Sequence, residues 1–514
     1  MRKYDMMEAY LDDYGRITAY VHEQFYQGKS DHFYLKDSTG TVIACSIMSV
    51  SRSDNSYTKY SLDAPKTIQI GKEYFVVADY ALMCPLKFGY IVRTERFDKE
   101  FYYDGDDLGI HYEPKQTSFV LWAPIAIEVL VDMTSQGKRM INPMKRTEKG
   151  VFRAVVPGNH DGARYVYRVN VNGRWNQAID PYGQSACANK LAGGVINPQK
   201  TEMKMHDDCL PPVTSYTDAI LYETHVRDFS KQCQTPYAGL FLGMIQKGLK
   251  TPNGNPAGFD YVKQLGITHL QLQPVSDFTT VDENNPNGYY NWGYDPGHYN
   301  IPEGSYSTDP DDPYARITEF KQLVSAYHEA GIRIVMDVVY NHMHSLRNND
   351  FEQIVPNYYF RYGPDGAPSN GSFCGNDFDS TRRMSRKFIV DSLKMWLQAY
   401  HVDGFRFDLM GIMDIETMNE IVREAKKINP SVFLHGEGWN LPTMLAEHKK
   451  ATMGNQAALY GVAQFNDFFR EHVKGKSSDY ELGVCGYGTG DLNYRLAIPA
   501  CLCGSAVVKE GYVT

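Results

Sequence analysis

The sequence predicts two small β-sandwich modules followed by a (β/α)8 (TIM) barrel, and three observations carry that prediction. Residues 1 to about 205 are cut into short runs rich in β-branched and aromatic residues. From residue 209 onward, apolar strands alternate with amphipathic helices. The polar residues of this second half collect at the carboxyl ends of its strands, the end at which barrel enzymes build their active sites.

The first β-rich series reads "RITAYVHEQF", "DHFYLKD", "KTIQIG" and "YFVVADY", and it ends at the acidic turn "YYDGDDLG". A second series, "TSFVLWAP", "IEVLVDM", "VFRAVVPG" and "RYVYRVNVNGRW", follows it. The domain boundaries implied are 1–104, 105–208 and 209–514, with "HDDCLPPVTSY" (206–216) as the linker into the last part. There the strands are "AILYETHV", "THLQLQPV", "IRIVMDVVYNH", "VDGFRFDLMG", "SVFLHGEGW" and "YGVAQFND". Helices are expected near 257–265, 314–330, 382–400 and 414–428. In the second of these Ile317, Phe320, Leu323, Val324 and Tyr327 recur on one face, with Asp312-Pro313 at its start and Gly331 past its end. A βα unit takes roughly 30 residues, and the spacing from Asp408 to Glu437 fits one such unit. No glycine-rich phosphate fingerprint follows a strand, which disfavours a doubly wound nucleotide-binding sheet.

Four strand ends carry the chemistry: Asp337, Asn341 and His342; Arg406 and Asp408; His435 and Glu437; Asn466 and Asp467. Residues two apart in a strand share a face, so Arg406 and Asp408 point together, as do His435 and Glu437. A lone aspartate at a strand end is usually a cap or an ion-pair partner, and Asp337 alone reads as a structural residue tied to Arg406 or to a backbone amide. The joint arrangement is what favours catalysis. If the fourth and fifth strands are neighbours, Asp408 faces Glu437 across the mouth, the arrangement of a glycoside hydrolase. Arg406 would keep Asp408 ionised as a nucleophile, while Glu437, near Trp439, would hold its proton to higher pH.

One loop stands apart. "GYYNWGYDPGHYN" (288–300) sets Tyr289, Tyr290, Trp292, Tyr294 and Tyr299 among glycines and Pro296. Its composition makes it a shaped loop at the mouth of the barrel, and ring faces with polar edges suit the CH face and hydroxyls of a sugar. Tyr294 is the ring expected to touch substrate, with Tyr289 and Tyr299 bracing the loop.

Together "DVVYNH" (337–342), "GFRFDLMG" (404–411), "GEGW" (436–439) and "YNWGYDP" (290–296) resemble the conserved regions of the α-amylase superfamily, glycoside hydrolase family 13, and specifically of type I pullulanases. "LGIHYEPKQTSFVLWAPIAIEVLVDM" is similar to the carbohydrate-binding β-sandwich that precedes the barrel in this group. The resemblance implies Asp408 as nucleophile and Glu437 as general acid/base. It implies substrate contacts from Tyr294, Asp295, His342, Arg406, Trp439 and Trp292, with Asp337 and Asn341 supporting them. The implied reaction is retaining hydrolysis of α-1,6 branch linkages in pullulan, limit dextrins or glycogen-type glucan, with no cofactor and no metal. Within the enzyme class, an α-1,4 amylase or transglycosylase is the competing activity, and "YNWGYDP" argues against it. The alternative from another class is a non-catalytic α-glucan-binding protein or pseudoenzyme.

The chain departs from that pattern at its far end. The family's seventh strand ends in a His-Asp pair, whereas the His-Asp pairs here are His160-Asp161 and His206-Asp207, both ahead of the barrel. After "FNDFFREHVKG" the sequence passes through "DLNYRLAIPACLCGSAVV", expected as a sixth helix, to Thr514. The barrel is therefore expected to lack strands seven and eight and a C-terminal β-domain, and the 514-residue chain to be inactive or weakly active as it stands. Smaller departures are Ser276 in "LQLQPVSDF" and Phe468 in "FNDFFRE".

Composition agrees with a neutral sugar as partner. The net charge is −9 and there are 38 tyrosines, with no basic run for nucleic acid or anionic membrane. No apolar run of signal-peptide or transmembrane length is seen, and nine scattered cysteines without CxxC pairs read as reduced thiols, so the expected location is cytoplasmic.

Overall fold

The computed structural model describes residues 6–53, 56–476, 481 and 483–504. Eight strands between Met7 and Phe88 form the first module, along one path in which Met7–Asp13 pairs antiparallel with Arg16–His22 and parallel with Met83–Phe88. Of the runs read from sequence, Arg16–His22, Phe33–Asp37 and Tyr74–Ala78 are strands. "KTIQIG" is not, since residues 66–71 form a turn before the chain re-enters the sheet.

The second module is a sandwich of two antiparallel sheets, one centred on Gln116–Trp122 and the other on Ala126–Ser135 and Arg164–Val171. Phe119 from the first sheet packs its ring on Tyr165 and Tyr167 of the second, with centroids 5.3 and 6.5 Å away. Alternating inward residues from both faces make its core.

The third part holds six parallel strands in sequential order: Leu221–Thr224, His269–Leu272, Arg333–Val338, Gly404–Phe407, Phe433–Gly436 and Ala463–Gln464. The helices Phe259–Gln264, Ala315–Glu329, Arg383–Tyr400 and Ile415–Ile428 lie where periodicity puts them. Ile317, Phe320, Leu323, Val324 and Tyr327 are all buried. At the far end the reading and the structure part. The sixth strand is two residues long, and Asn466 leaves it to cap the helix Asp467–Val473 by accepting from Phe469 N at 2.9 Å. Asn466 and Asp467 follow the carboxyl end of this strand, as read from sequence, and also open the helix. The expected sixth helix is two short pieces, Leu492–Leu496 and Ile498–Leu502, with Pro499 opening the second, and its remainder lies outside the described residues.

The parts are tied by specific contacts. Asp98, buried on the helix Glu95–Glu100, accepts from the Tyr358 hydroxyl and from Arg383 N at the start of the barrel helix Arg383–Tyr400. Arg382 donates to the carbonyls of Val92 and Arg93. The predicted linker is also fixed: Asp207 bonds His328 Nδ1 at 2.9 Å and His401 Nδ1 at 2.6 Å, and the Tyr216 ring lies 4.9 Å from Phe433 at the start of the fifth strand. All nine cysteines are free, and among the described residues no helix is long and apolar enough to cross a membrane.

Trp396 links this scaffold to the aromatic loop. It is fully buried on the helix Arg383–Tyr400, and its Nε1 donates to Tyr299 O at 3.1 Å. Trp396→Ala is expected to cost about 3–5 kcal/mol of unfolding free energy through the cavity it leaves, measurable by urea denaturation.

Candidate active site

Strand register brings the site together. Asp337 on the third strand lies beside Arg406 on the fourth, and Arg406 beside His435 on the fifth. Asp408 and Glu437 follow directly after the fourth and fifth strands, and their amides extend the ladder to Val338 O and Phe407 O at 3.0 Å each. Period-two alternation then puts Arg406, Asp408 and Glu437 on one side of neighbouring strands.

One guanidinium gathers three carboxylates. Arg406 Nη1 donates to Asp337 Oδ1 at 2.9 Å, Asp337 Oδ2 at 3.0 Å and Asp408 Oδ1 at 2.8 Å, while Nη2 lies 2.6 Å from Glu437 Oε1. The Tyr294 hydroxyl donates to Asp337 Oδ2 at 2.7 Å. Asn341 Nδ2 donates to Asp408 Oδ2 at 2.9 Å and to its carbonyl at 2.8 Å, and the other end of that amide meets His342 Nδ1 at 2.6 Å. Of the sequence-predicted residues, Asp337, Asn341, His342, Arg406, Asp408, Glu437 and Tyr294 thus form one connected network. Asp337 has the partner expected of it, Arg406.

Burial sets the electrostatics. Removal from water pushes the Glu437 carboxyl above its ordinary range; Asp408 pushes the same way, while Arg406 opposes it. Trp439 acts against the expectation drawn for it, because its hydrogen bond to Glu437 lowers that carboxyl. Burial raises Asp337 as well, against the pull of Arg406, and lowers His342, so that imidazole is neutral near pH 7. Burial first, and then the Arg406 charge, push His435 down to about 3.

Trp439 joins the network through Glu437, whereas the hydrogen bonds of Asp295 and Trp292 lie outside it. Asp295 shapes the aromatic loop, accepting from Thr280 N at 3.0 Å, from the Thr280 hydroxyl at 2.7 Å and from Asn291 Nδ2 at 2.7 Å. Trp292 is 60 % exposed and its Nε1 donates to the Tyr290 hydroxyl at 3.1 Å, which in turn donates to Asp228 at 2.7 Å. Tyr299 is buried, with its hydroxyl donating to His342 O at 2.6 Å, and braces the loop as expected. Gly293 adopts φ +94°, and a Cβ there would meet Pro274 at 2.9 Å, so the loop's turn needs glycine at this point.

Two participants were missed. Leu409 N donates to Glu437 Oε2 at 3.2 Å from a left-handed backbone, φ 41°, and a leucine gives no sequence signal for that conformation. Phe465 places its ring 5.6 Å from the Arg406 guanidinium, about as near as the Tyr294 ring at 5.7 Å; its place just past the sixth strand could have identified it. Another carboxylate group, Asp277, Glu283 and Glu303, is buried and already holds the Arg316 guanidinium at 2.8 Å from Glu283.

Comparison with known proteins identifies the family. Residues 7–93 match the pullulanase N1-terminal domain, residues 107–183 match carbohydrate-binding module 48 (isoamylase N-terminal domain), and residues 253–366 match the α-amylase catalytic domain. The pullulanase of Bacillus subtilis (strain 168) is 38 % identical over 502 residues, covering 97 % of this chain and 69 % of that protein. The chain belongs to the type I pullulanases. Among solved structures, the pullulanase of Anoxybacillus sp. LM18-11 complexed with maltotriose is 42 % identical with a TM-score of 0.92, over 97 % of this chain and 71 % of that one. The type I pullulanase of Bacillus subtilis str. 168 complexed with maltose is 37 % identical with a TM-score of 0.93, over 99 % and 71 %. The matched domains put an α-amylase catalytic domain, here with a barrel-like sheet of six strands among the described residues, behind a carbohydrate-binding module.

Arg406→Met would leave three carboxylates crowded without their cation, so unfolding free energy should fall by about 3–5 kcal/mol, read by chemical denaturation. In Asp408→Asn a negative neighbour of Glu437 is removed, and the Glu437 titration, followed by carboxyl NMR, should move to lower pH.

Proposed function

We propose that this protein hydrolyses α-1,6 branch linkages of an α-glucan with net retention, using Asp408 as nucleophile and Glu437 as general acid/base. The observation that carries this reading is that the two carboxyls share one guanidinium, with Asp408 on Nη1 and Glu437 on Nη2 of Arg406. That closeness is compatible with the roughly 5 Å separation of a retaining pair.

The roles differ because the environments differ. Asp408 accepts from both Arg406 and Asn341, and these bonds hold its carboxyl in place for attack on the anomeric carbon. Burial raises Glu437 against the pull of Arg406, which favours the acid form that protonates the departing glycosidic oxygen. As that bond breaks, a covalent glycosyl ester forms on Asp408 and the Glu437 proton passes to the leaving oxygen. Glu437, now a base, takes a proton from water, whose oxygen displaces Asp408 at the same carbon. Tyr294, held over Arg406 by Asp337, offers a ring face to the sugar; His342 offers a neutral imidazole edge; Asp295 and Trp292 shape and flank the loop; Trp439 lines the leaving-group side. Relatives solved with maltotriose and maltose support a maltooligosaccharide as the bound group.

The division 1–104, 105–208 and 209–514 is part of this reading, as N1 module, glucan-binding module and barrel. The free cysteines favour a reducing compartment. We further propose that the 514-residue polypeptide cleaves poorly by itself. Its two His-Asp pairs are employed elsewhere: Asp161 on Lys200 and Tyr314, Asp207 on His328 and His401. Among the described residues, His269 Nε2, His435 Nε2 and Gln464 Oε1 on the six-stranded sheet are buried without a hydrogen-bond partner, a cost of about 1–3 kcal/mol each.

Release of maltotriose from pullulan, with linear amylose left intact, is the expected specificity. Asp408→Asn and Glu437→Gln should each lower kcat by 10³-fold or more, on the order expected for loss of a nucleophile or an acid. Rates should fall as pH rises through the raised Glu437 value, because the acid form is then lost. Cleavage of amylose but not pullulan would overturn the linkage assignment. Substantial pullulan cleavage by the 514-residue chain, lost in Asp408→Asn, would overturn only the claim of weak activity.

A further inference from the structure

The segment 369–377 makes an exposed aromatic prominence that the catalytic network does not use. Phe373 at its tip is 71 % exposed and adopts a left-handed backbone, φ +61°. A bulky residue in that region is an outlier, and such strain persists only where the surroundings over-determine it.

The surroundings here do so. The carboxylate of Asp377, fully buried, accepts from Gly371 N and Ser372 N at 2.9 Å each, from the Thr443 hydroxyl at 2.8 Å and from the Ser369 hydroxyl at 2.5 Å. Asn370 Oδ1 accepts from Gly375 N at 2.6 Å, and the Ser372 hydroxyl donates to Asn376 O at 2.6 Å. A Cβ at Gly371 would lie 2.6 Å from Thr443 N, so the backbones touch there. The loop is stiff, and the ring at its tip is held in water.

Its anchors locate it. Asn376 brackets Met343, the residue after His342, accepting from its N at 3.0 Å and donating to its O at 2.8 Å, while Phe378 N donates to Asn341 O at 2.8 Å. On the other side, Met444 N donates to the Ser369 hydroxyl at 2.9 Å. The loop therefore spans from the Asn341–Met343 strand end to the segment that follows Glu437 and Trp439. Next to Phe373, the Cys374 thiol is pushed up by burial and then by the charge of Asp408, with smaller contributions from Asp377 and Asp295. It lies within electrostatic reach of the nucleophile.

We propose that Phe373 is a glucan-positioning residue, whose exposed ring stacks on a glucose unit of the substrate beside the cleavage site. This rests on the hydrolase reading given above. A ring presented on a rigid loop gives up little entropy on binding, which is what makes such a platform effective. The strained backbone fits as well, since it holds the ring out from the domain and folding alone gains little from it.

The experiment uses the 514-residue chain, maltotetraose and the neighbouring thiol. Cys374 is exposed, so its maleimide labelling, read by mass spectrometry of its own peptide, reports occupancy at this spot. Maltotetraose should slow labelling of Cys374 and leave Cys209 unchanged. Phe373→Gly should weaken maltotetraose binding by calorimetry about fivefold, with a melting temperature equal to or above that of the wild type because glycine relieves the left-handed strain. Phe373→Trp should retain the affinity. Binding without protection of Cys374, or unchanged affinity in Phe373→Gly, overturns this inference and leaves the hydrolase reading standing. Failure of the wild type to bind maltotetraose at all overturns that reading, and this inference with it.

Discussion

The Arg406 guanidinium is the constraint on which the rest of the site depends. Three carboxylates from three consecutive strand positions would repel one another at this spacing, and a single planar cation with fixed donors makes their approach tolerable. Everything nearby is arranged to suit it: Tyr294 and Phe465 put ring faces toward it, and Asn341 takes up the Asp408 oxygen that Arg406 leaves. A lysine could not reproduce this, because a point charge has no two edges with which to hold Asp408 and Glu437 apart and in order.

That constraint explains why much of the site could be read from the sequence and why some of it could not. Asp337, Arg406, Asp408 and Glu437 are fixed by strand alternation, and alternation is visible in a linear sequence once the apolar runs are recognised. Tyr294 was legible because its loop combines rings with glycines. Leu409 was not, since its donor is a backbone amide whose direction depends on a left-handed turn. Trp439 was legible as a neighbour of Glu437, but the sign of its effect was not: nearness to an indole suggests an apolar environment, whereas the hydrogen bond from that indole stabilises the charged form. Asp295 was read as a sugar contact from the family resemblance alone, and only the fold reveals Thr280 and Asn291 as its partners.

For the fold, the long periodic segments were the reliable ones. The helix Ala315–Glu329 follows from its buried stripe, while the sixth strand shrank to Ala463–Gln464 because Asn466 is better used as a cap than as a strand residue. "KTIQIG" failed as a strand for a different reason: β-branched residues argue for extended backbone only where a neighbouring strand is available, and these residues lie on a turn.

The contacts of Asp98 have a consequence for how the chain is made. Its partners Tyr358 and Arg383 lie 260 and 285 positions further along. On a ribosome the N-terminal module therefore emerges long before the residues that bury its outer helix exist, and it spends that interval with the helix Glu95–Glu100 uncovered. Docking of the two ends is a late event in assembly, governed by the slow closure of a very long loop. The capping hydroxyl of Thr94, a local contact, holds the start of that helix while it waits.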